Sequence, residues 1–118
     1  MKSLEDLEKK INSELTTKIN NTEIKHNQIY IETDKEDMVD VAIFLKTNQE
    51  TKFRQLIDIT VVDYPEQNQR FEVVYLFLSH EFNQRLIVKY SIAENEVIPS
   101  LTSIFPSANW MEREVFDM

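Results

Sequence analysis

The chain has 118 residues, of which 42% are hydrophobic, and thirteen Lys and Arg against twenty-one Asp and Glu leave a net charge of −8. That length fits one domain, and a domain of this size buries roughly 65% of the surface its unfolded chain exposes, enough for a core without staples. An acidic chain with no cluster of Arg or Lys interleaved with aromatics argues against direct binding to nucleic acid or to an anionic membrane.

Cysteine is absent and the histidines are His26 and His80. The chain therefore offers no thiolates for an iron-sulfur cluster, no Cys/His zinc site and no thiol nucleophile. Glycine is absent too, which removes the Gly-rich turns that cradle nucleotide phosphates. Apolar runs are far shorter than the ~20 residues needed to span a bilayer, and Met1-Lys2-Ser3-Leu4-Glu5-Asp6 has no apolar signal core. These features read as a cytosolic protein.

Leu4, Leu7, Ile11 and Leu15 follow one helical face while Glu5, Glu8, Lys9 and Lys10 fill the other. The spacing predicts an amphipathic helix with Ser3 as N-cap, ending near residues 16–21. Residues 23–32, with Ile24, Ile29 and Ile31, read as a first strand. Thr33-Asp34-Lys35-Glu36 has the spacing of a capping box. A second helix to about Thr47 should follow, with Met38, Val41, Ala42 and Leu45 inward and Val39, Ile43 and Phe44 widening its apolar side.

Three strands come next. Leu56 to Tyr64 is apolar but interrupted by Asp58 and Asp63. The second strand carries Phe71, Val73, Tyr75 and Phe77 on one face and Val74, Leu76 and Leu78 on the other, so it belongs at the centre of a sheet. The third alternates Leu86, Val88, Tyr90 and Ile92 with Arg85, Ile87, Lys89 and Ser91, one face buried and one mostly wet. Polar connections at 65–69 and 79–84 suit an antiparallel meander with turns longer than two residues. The expected fold is therefore a single α+β domain, a sheet of about four mostly antiparallel strands with helices on one face and a C-terminal helix.

Residues 93–106, with Pro99 and Pro106, read as a crossover, after which Ser107 caps a helix with the stripe Ala108, Met111, Val115 and Met118. This leaves Trp110, Glu114 and Asp117 on one flank and Glu112 and Phe116 on the other, with Arg113 between them. The triplet Glu112-Arg113-Glu114 fits either a solvated face of weak ion pairs or a docking surface. As a general acid and base, Glu112 and Glu114 fail, because residues two apart on a helix point about 200° apart. His80 beside Ser79 and Glu81 makes a turn, not a triad. Asp58 and Asp63, in a segment otherwise fit for burial, need cationic or backbone donors or a place at an edge.

The segments Leu56-Ile57-Asp58-Ile59-Thr60-Val61-Val62-Asp63-Tyr64-Pro65, Arg70-Phe71-Glu72-Val73-Val74-Tyr75, Pro99 to Ala108 and Asn109-Trp110-Met111-Glu112-Arg113-Glu114-Val115-Phe116-Asp117-Met118 closely resemble the C subunit of the proton-pumping NADH:quinone oxidoreductase, respiratory complex I. The resemblance covers residues 56–118. It implies a protein without a prosthetic group, in the peripheral arm on the cytoplasmic side of a bacterial inner membrane, packed against the large D subunit at the quinone site. NADH, FMN, iron-sulfur clusters and quinone are then cofactors and substrates of the whole complex and none is held by this chain. The resemblance also implies that Trp110, Glu112, Arg113, Glu114 and Asp117, and in part Asp58 and Asp63, make assembly contacts. Family members continue past the position of Met118 with Gly-Ile and Gly-His-Pro segments, so the chain, 1–118, matches the N-terminal and central part of such a protein and reads as trimmed. Rival readings are the homologous component of a membrane-bound hydrogenase and a stand-alone acidic ligand-binding or hydrolytic domain.

Overall fold

The computed structural model describes residues 4–48, 51–66, 68, 70–81, 83–93, 96 and 98–116, with the backbone alone for 114–116. In chain order come α1 (Leu4–Glu14), β1 (Ile19–Lys25), β2 (Gln28–Thr33), a short 3-10 turn (Lys35–Asp37), α2 (Met38–Thr47), β3 (Gln55–Asp63), β4 (Phe71–Ser79), β5 (Gln84–Ile92) and α3 (Ala108–Phe116). The strands form one five-stranded sheet in the order β1-β2-β5-β4-β3. All neighbours run antiparallel except β2 and β5, which pair parallel. The α+β class with helices on one face and a C-terminal helix is as expected, but the sheet is mixed and has one strand more.

The extra strand comes from residues 23–32, which are not one strand. His26 and Asn27 both take positive φ, 52° and 62°, and Lys25 faces Gln28 across a two-residue turn. Left-handed backbone at both central positions gives a turn whose twist matches the flanking strands, and Asn accepts it at low cost. The helix before it stops earlier than expected. After the Leu15 N–H donates to Ile11, the chain closes on the Leu15 carbonyl from Lys18 and Ile19 and enters β1 at once.

Leu7 and Ile11 of α1 are fully buried and Leu15 nearly so, so the predicted stripe is the packed one. Its expected cap, Ser3, lies outside the described residues. In α2, Met38, Val41, Ala42 and Leu45 are fully buried and Val39 and Phe44 pack against them, whereas Ile43 is 42% exposed and does not widen the packed side. The capping box does not form. Thr33 ends β2 and its hydroxyl donates to the Lys18 carbonyl, Asp34 accepts from the Asn20 amide, and neither Asp34 nor Asp37 caps through its side chain. Thr33 is the last residue of β2, and the residue at the cap position of the 3-10 turn is Asp34, one place later.

Strands β3, β4 and β5 form the expected antiparallel meander. β4 is interior, as two apolar faces require, but the central place goes to β5, because β2 pairs with its free side. One sheet face, with Ile29, Ile31, Leu56, Ile59, Val73, Tyr75, Phe77, Leu86 and Val88, shares a single core with the helices. On the other face Val74, Leu76, Leu78 and Ile87 stay half-buried, and a Lys89–Glu32 ion pair crosses from β5 to β2. Tyr75 and Tyr90 put a polar pair into the core, their hydroxyls sharing a 2.8 Å hydrogen bond. Burial pushes the Tyr75 hydroxyl up to about 12 and the Tyr90 hydroxyl up as well, and the charge of Glu112 adds to both shifts. Both tyrosines are therefore neutral in ordinary buffers.

Candidate functional site

Most of the residues singled out in the sequence belong to the end of the chain, where the crossover after β5 leads into α3. Ile98, Leu101 and Phe105 are buried in this crossover, so three large apolar side chains hold an irregular segment against the core. The Leu101 carbonyl accepts from the Ile104 and Phe105 amides at 3.0 and 2.8 Å, which makes a tight turn between Pro99 and Pro106. The Phe105 ring meets Phe77 with centroids 5.3 Å apart, and the Lys46 ammonium lies 5.3 Å above that ring while donating to the Ile104 carbonyl. Ser107, expected as a cap, donates its hydroxyl to the Leu56 carbonyl on β3, and the last crossover turn closes through Ala108 onto the Phe105 carbonyl.

From there α3 packs along β3. Ala108 is fully buried and Met111 packs against the core, so the start of the predicted stripe is inward. Val115 and Met118, its other half, fall where no side chain is described. Trp110 is 68% exposed, the most open of the large apolar side chains described. Arg113, three residues on, is also exposed and shares its side of the helix. The side chain of Glu114 and all of Asp117 lie outside the described residues.

Glu112 is placed differently from the exposed flank the sequence suggested, because it follows Ala108 by one turn and so shares the inward side. It is 7% exposed. One carboxylate oxygen accepts from the Leu101 amide at 2.7 Å; the other accepts from the Ser100 hydroxyl at 2.9 Å, with the Thr102 hydroxyl at 3.4 Å. A buried carboxylate is tolerated when donors take its lone pairs, and here they all come from one turn of the crossover. The helical spacing from Ala108 carried this signal in the sequence. The donors could not be read there, because they depend on the path of the crossover.

Asp58 and Asp63 are both exposed on β3, the edge strand along which α3 lies. Asp58 follows a register shift between Leu56 and Asp58, and its carboxylate accepts from the Ile59 amide at 2.9 Å. A carboxylate at a bulge on an edge blunts that edge toward further strands. Asp63 receives both arms of the Arg70 guanidinium, at 2.7 and 2.9 Å. That hydrogen bonding, more than the opposing desolvation, holds the Asp63 carboxyl below its usual range. Each aspartate thus has one of the donors that its position called for.

His80 meets Gln55 across the strands at 2.6 Å, while the neighbouring Ser79 is fully buried, so the two side chains do not meet as base and nucleophile. Among the described residues no group of three His, Asp or Glu side chains could hold a metal ion, and no helix is long and apolar enough to cross a membrane. Among the described residues, the crossover and α3 carry a buried carboxylate, Glu112, that accepts from Ser100 and Leu101 together.

Residues 31–118 match the family described as respiratory-chain NADH dehydrogenase, 30 Kd subunit. The C subunit of NADH-quinone oxidoreductase from Dinoroseobacter shibae is 50% identical over 97 residues, which are 82% of this chain and 45% of that protein. Its counterpart from Rhodospirillum rubrum is 40% identical over all 118 residues, 55% of that protein. The chain thus spans about half the length of these relatives. A chain of the membrane-bound sulfane sulfur reductase, an archaeal respiratory membrane complex, superposes with a TM-score of 0.83 at 23% identity, covering 96% of this chain and 65% of that one, which is a likeness of fold. With the family match running from β2 to the last residue and relatives matching over the whole length, the chain belongs to the 30 Kd subunit family of the respiratory-chain NADH dehydrogenases, together with the NADH-quinone oxidoreductase C subunits.

Proposed function

We propose that this chain is a non-catalytic component of the peripheral arm of a proton-pumping NADH:quinone oxidoreductase, on the cytoplasmic side of a bacterial inner membrane. It docks through the outward side of α3 onto the large D subunit at the quinone site. The observation that carries the reading is Trp110, 68% exposed on a helix whose other side is fixed to the core. Tryptophan and arginine are both among the side chains most enriched at the hot spots of protein interfaces. Glu114 and Asp117 belong to the same docking segment by sequence, and Asp58 and Asp63 sit on the strand beside it.

FMN, iron-sulfur clusters, NADH and quinone are bound by other subunits in this reading. A chain without cysteine or glycine has neither thiolates for a cluster nor the turns that cradle a dinucleotide. Its contribution is to hold the neighbouring protein in place so that electrons reach quinone.

Assembly of the complex in cells, read on native gels, tests this. Trp110→Ala is expected to deplete the assembled complex and to weaken recovery of the quinone-site partner with this chain, while the chain itself stays folded. Undiminished assembly with Trp110→Ala overturns the docking surface. Copurification with hydrogenase subunits would move the chain to a membrane-bound hydrogenase, and turnover by the lone chain would end the non-catalytic reading.

A further inference from the structure

We propose that Glu112 is a positioning residue, an internal latch that sets the rotation of α3 about its axis and so decides that Trp110 and Arg113 face outward. This rests on the docking reading above and removes Glu112 itself from the contact surface. Among the described residues it is the one charged side chain that is buried. Its carboxylate accepts from the backbone of Leu101 and from the hydroxyl of Ser100, with the Thr102 hydroxyl near the same oxygen. Leu101 is fully buried in a segment that is neither helix nor strand, so Glu112 supplies the acceptor its amide needs.

The crossover is held from its other side by Lys46 of α2, which donates to the Ile104 carbonyl and lies over Phe105. An anion from α3 and a cation from α2 thus grip the same turn three residues apart, at Leu101 and Ile104. Helical geometry does the rest. Trp110 stands two residues from Glu112, about 200° around the helix, so fixing Glu112 inward fixes the indole outward.

Amide hydrogen exchange on the 118-residue chain reads the latch directly, and assembly in cells reads its consequence. Glu112→Ala is expected to speed exchange at the Leu101 amide about tenfold or more, the effect of one lost charge-assisted hydrogen bond, while amides in β4 and β5 keep their protection. Glu112→Gln retains an acceptor for Leu101 and a group that can turn to Ser100, so it should keep most of that protection and assemble close to wild type, whereas Glu112→Ala assembles poorly. Unchanged Leu101 exchange in Glu112→Ala overturns the latch. Glu112→Gln with Leu101 still protected but assembly lost also overturns it, because the charge would then be a contact to the partner. If Glu112→Ala does not fold, the Gln variant decides by the same pair of readings. Trp110→Ala separates the two proposals: normal assembly there removes the docking surface, while Leu101 exchange goes on reporting the latch.

Discussion

Along α3, Ala108, Met111 and Glu112 turn toward the sheet and the crossover, while Asn109, Trp110 and Arg113 turn toward solvent. The inward side is judged by how well it packs and how completely its polar atoms are satisfied. The outward side makes no comparable demand on the fold, so it is free to carry recognition. A substitution inward should therefore lower stability first and assembly as a result. One made outward should lower assembly and leave stability alone.

The largest expected effect on stability lies beneath the helix. Phe105→Ala empties a 2% exposed site between Phe77 and Lys46 and should cost about 3–5 kcal/mol in denaturant unfolding. Glu112→Ala comes next, at about 1–3 kcal/mol, because it strands a buried amide without removing much apolar surface. Trp110→Ala should stay within about 0.5 kcal/mol of wild type by the same measurement, while native gels show assembly falling. An equal loss of stability at residues 110 and 112 would erase the contrast between the two sides.

The smallest effect belongs to Asp63. Its carboxyl is held below the ordinary aspartate value by Arg70, so its contribution to stability is complete above that ordinary value and is lost as pH falls through the lowered one. The pair is exposed and screened, so the gain is slight. Thermal unfolding of wild type and Asp63→Asn, followed from neutral to acidic pH, should differ slightly at neutral pH and converge in acid. A gap that widens in acid would show that Arg70 is not the cause.

Much of the architecture is legible in the sequence because it rests on periodicity. Leu7, Ile11 and Leu15 share a face whatever surrounds them, and the alternation Leu86, Val88, Tyr90, Ile92 admits one buried side. The β1-β2 hairpin is hidden because its left-handed residues are His26 and Asn27 rather than glycine, so a tight turn looks like mid-strand. The capping-box spacing misleads since Thr33 stays in β2, with its hydroxyl donating to the Lys18 carbonyl fifteen residues away, and the cap position falls on Asp34 instead. Of the candidate site, Trp110 and Arg113 are placed outward by helical spacing; the same spacing puts Glu112 one turn after the buried Ala108, but its charged neighbours in the sequence favour reading it as exposed.

By itself the order of residues determined which positions are apolar, most of the segments that are helical or extended, and, through the family match, the family the chain belongs to. Only the tertiary structure decided that β2 inserts beside β5, and that one carboxylate of a charged triplet turns in to hold a crossover. The reason is the reach of the forces. Side-chain periodicity is local and shows in any short window, but a buried charge is stable only where distant backbone supplies its donors, and that meeting exists only once the chain has folded.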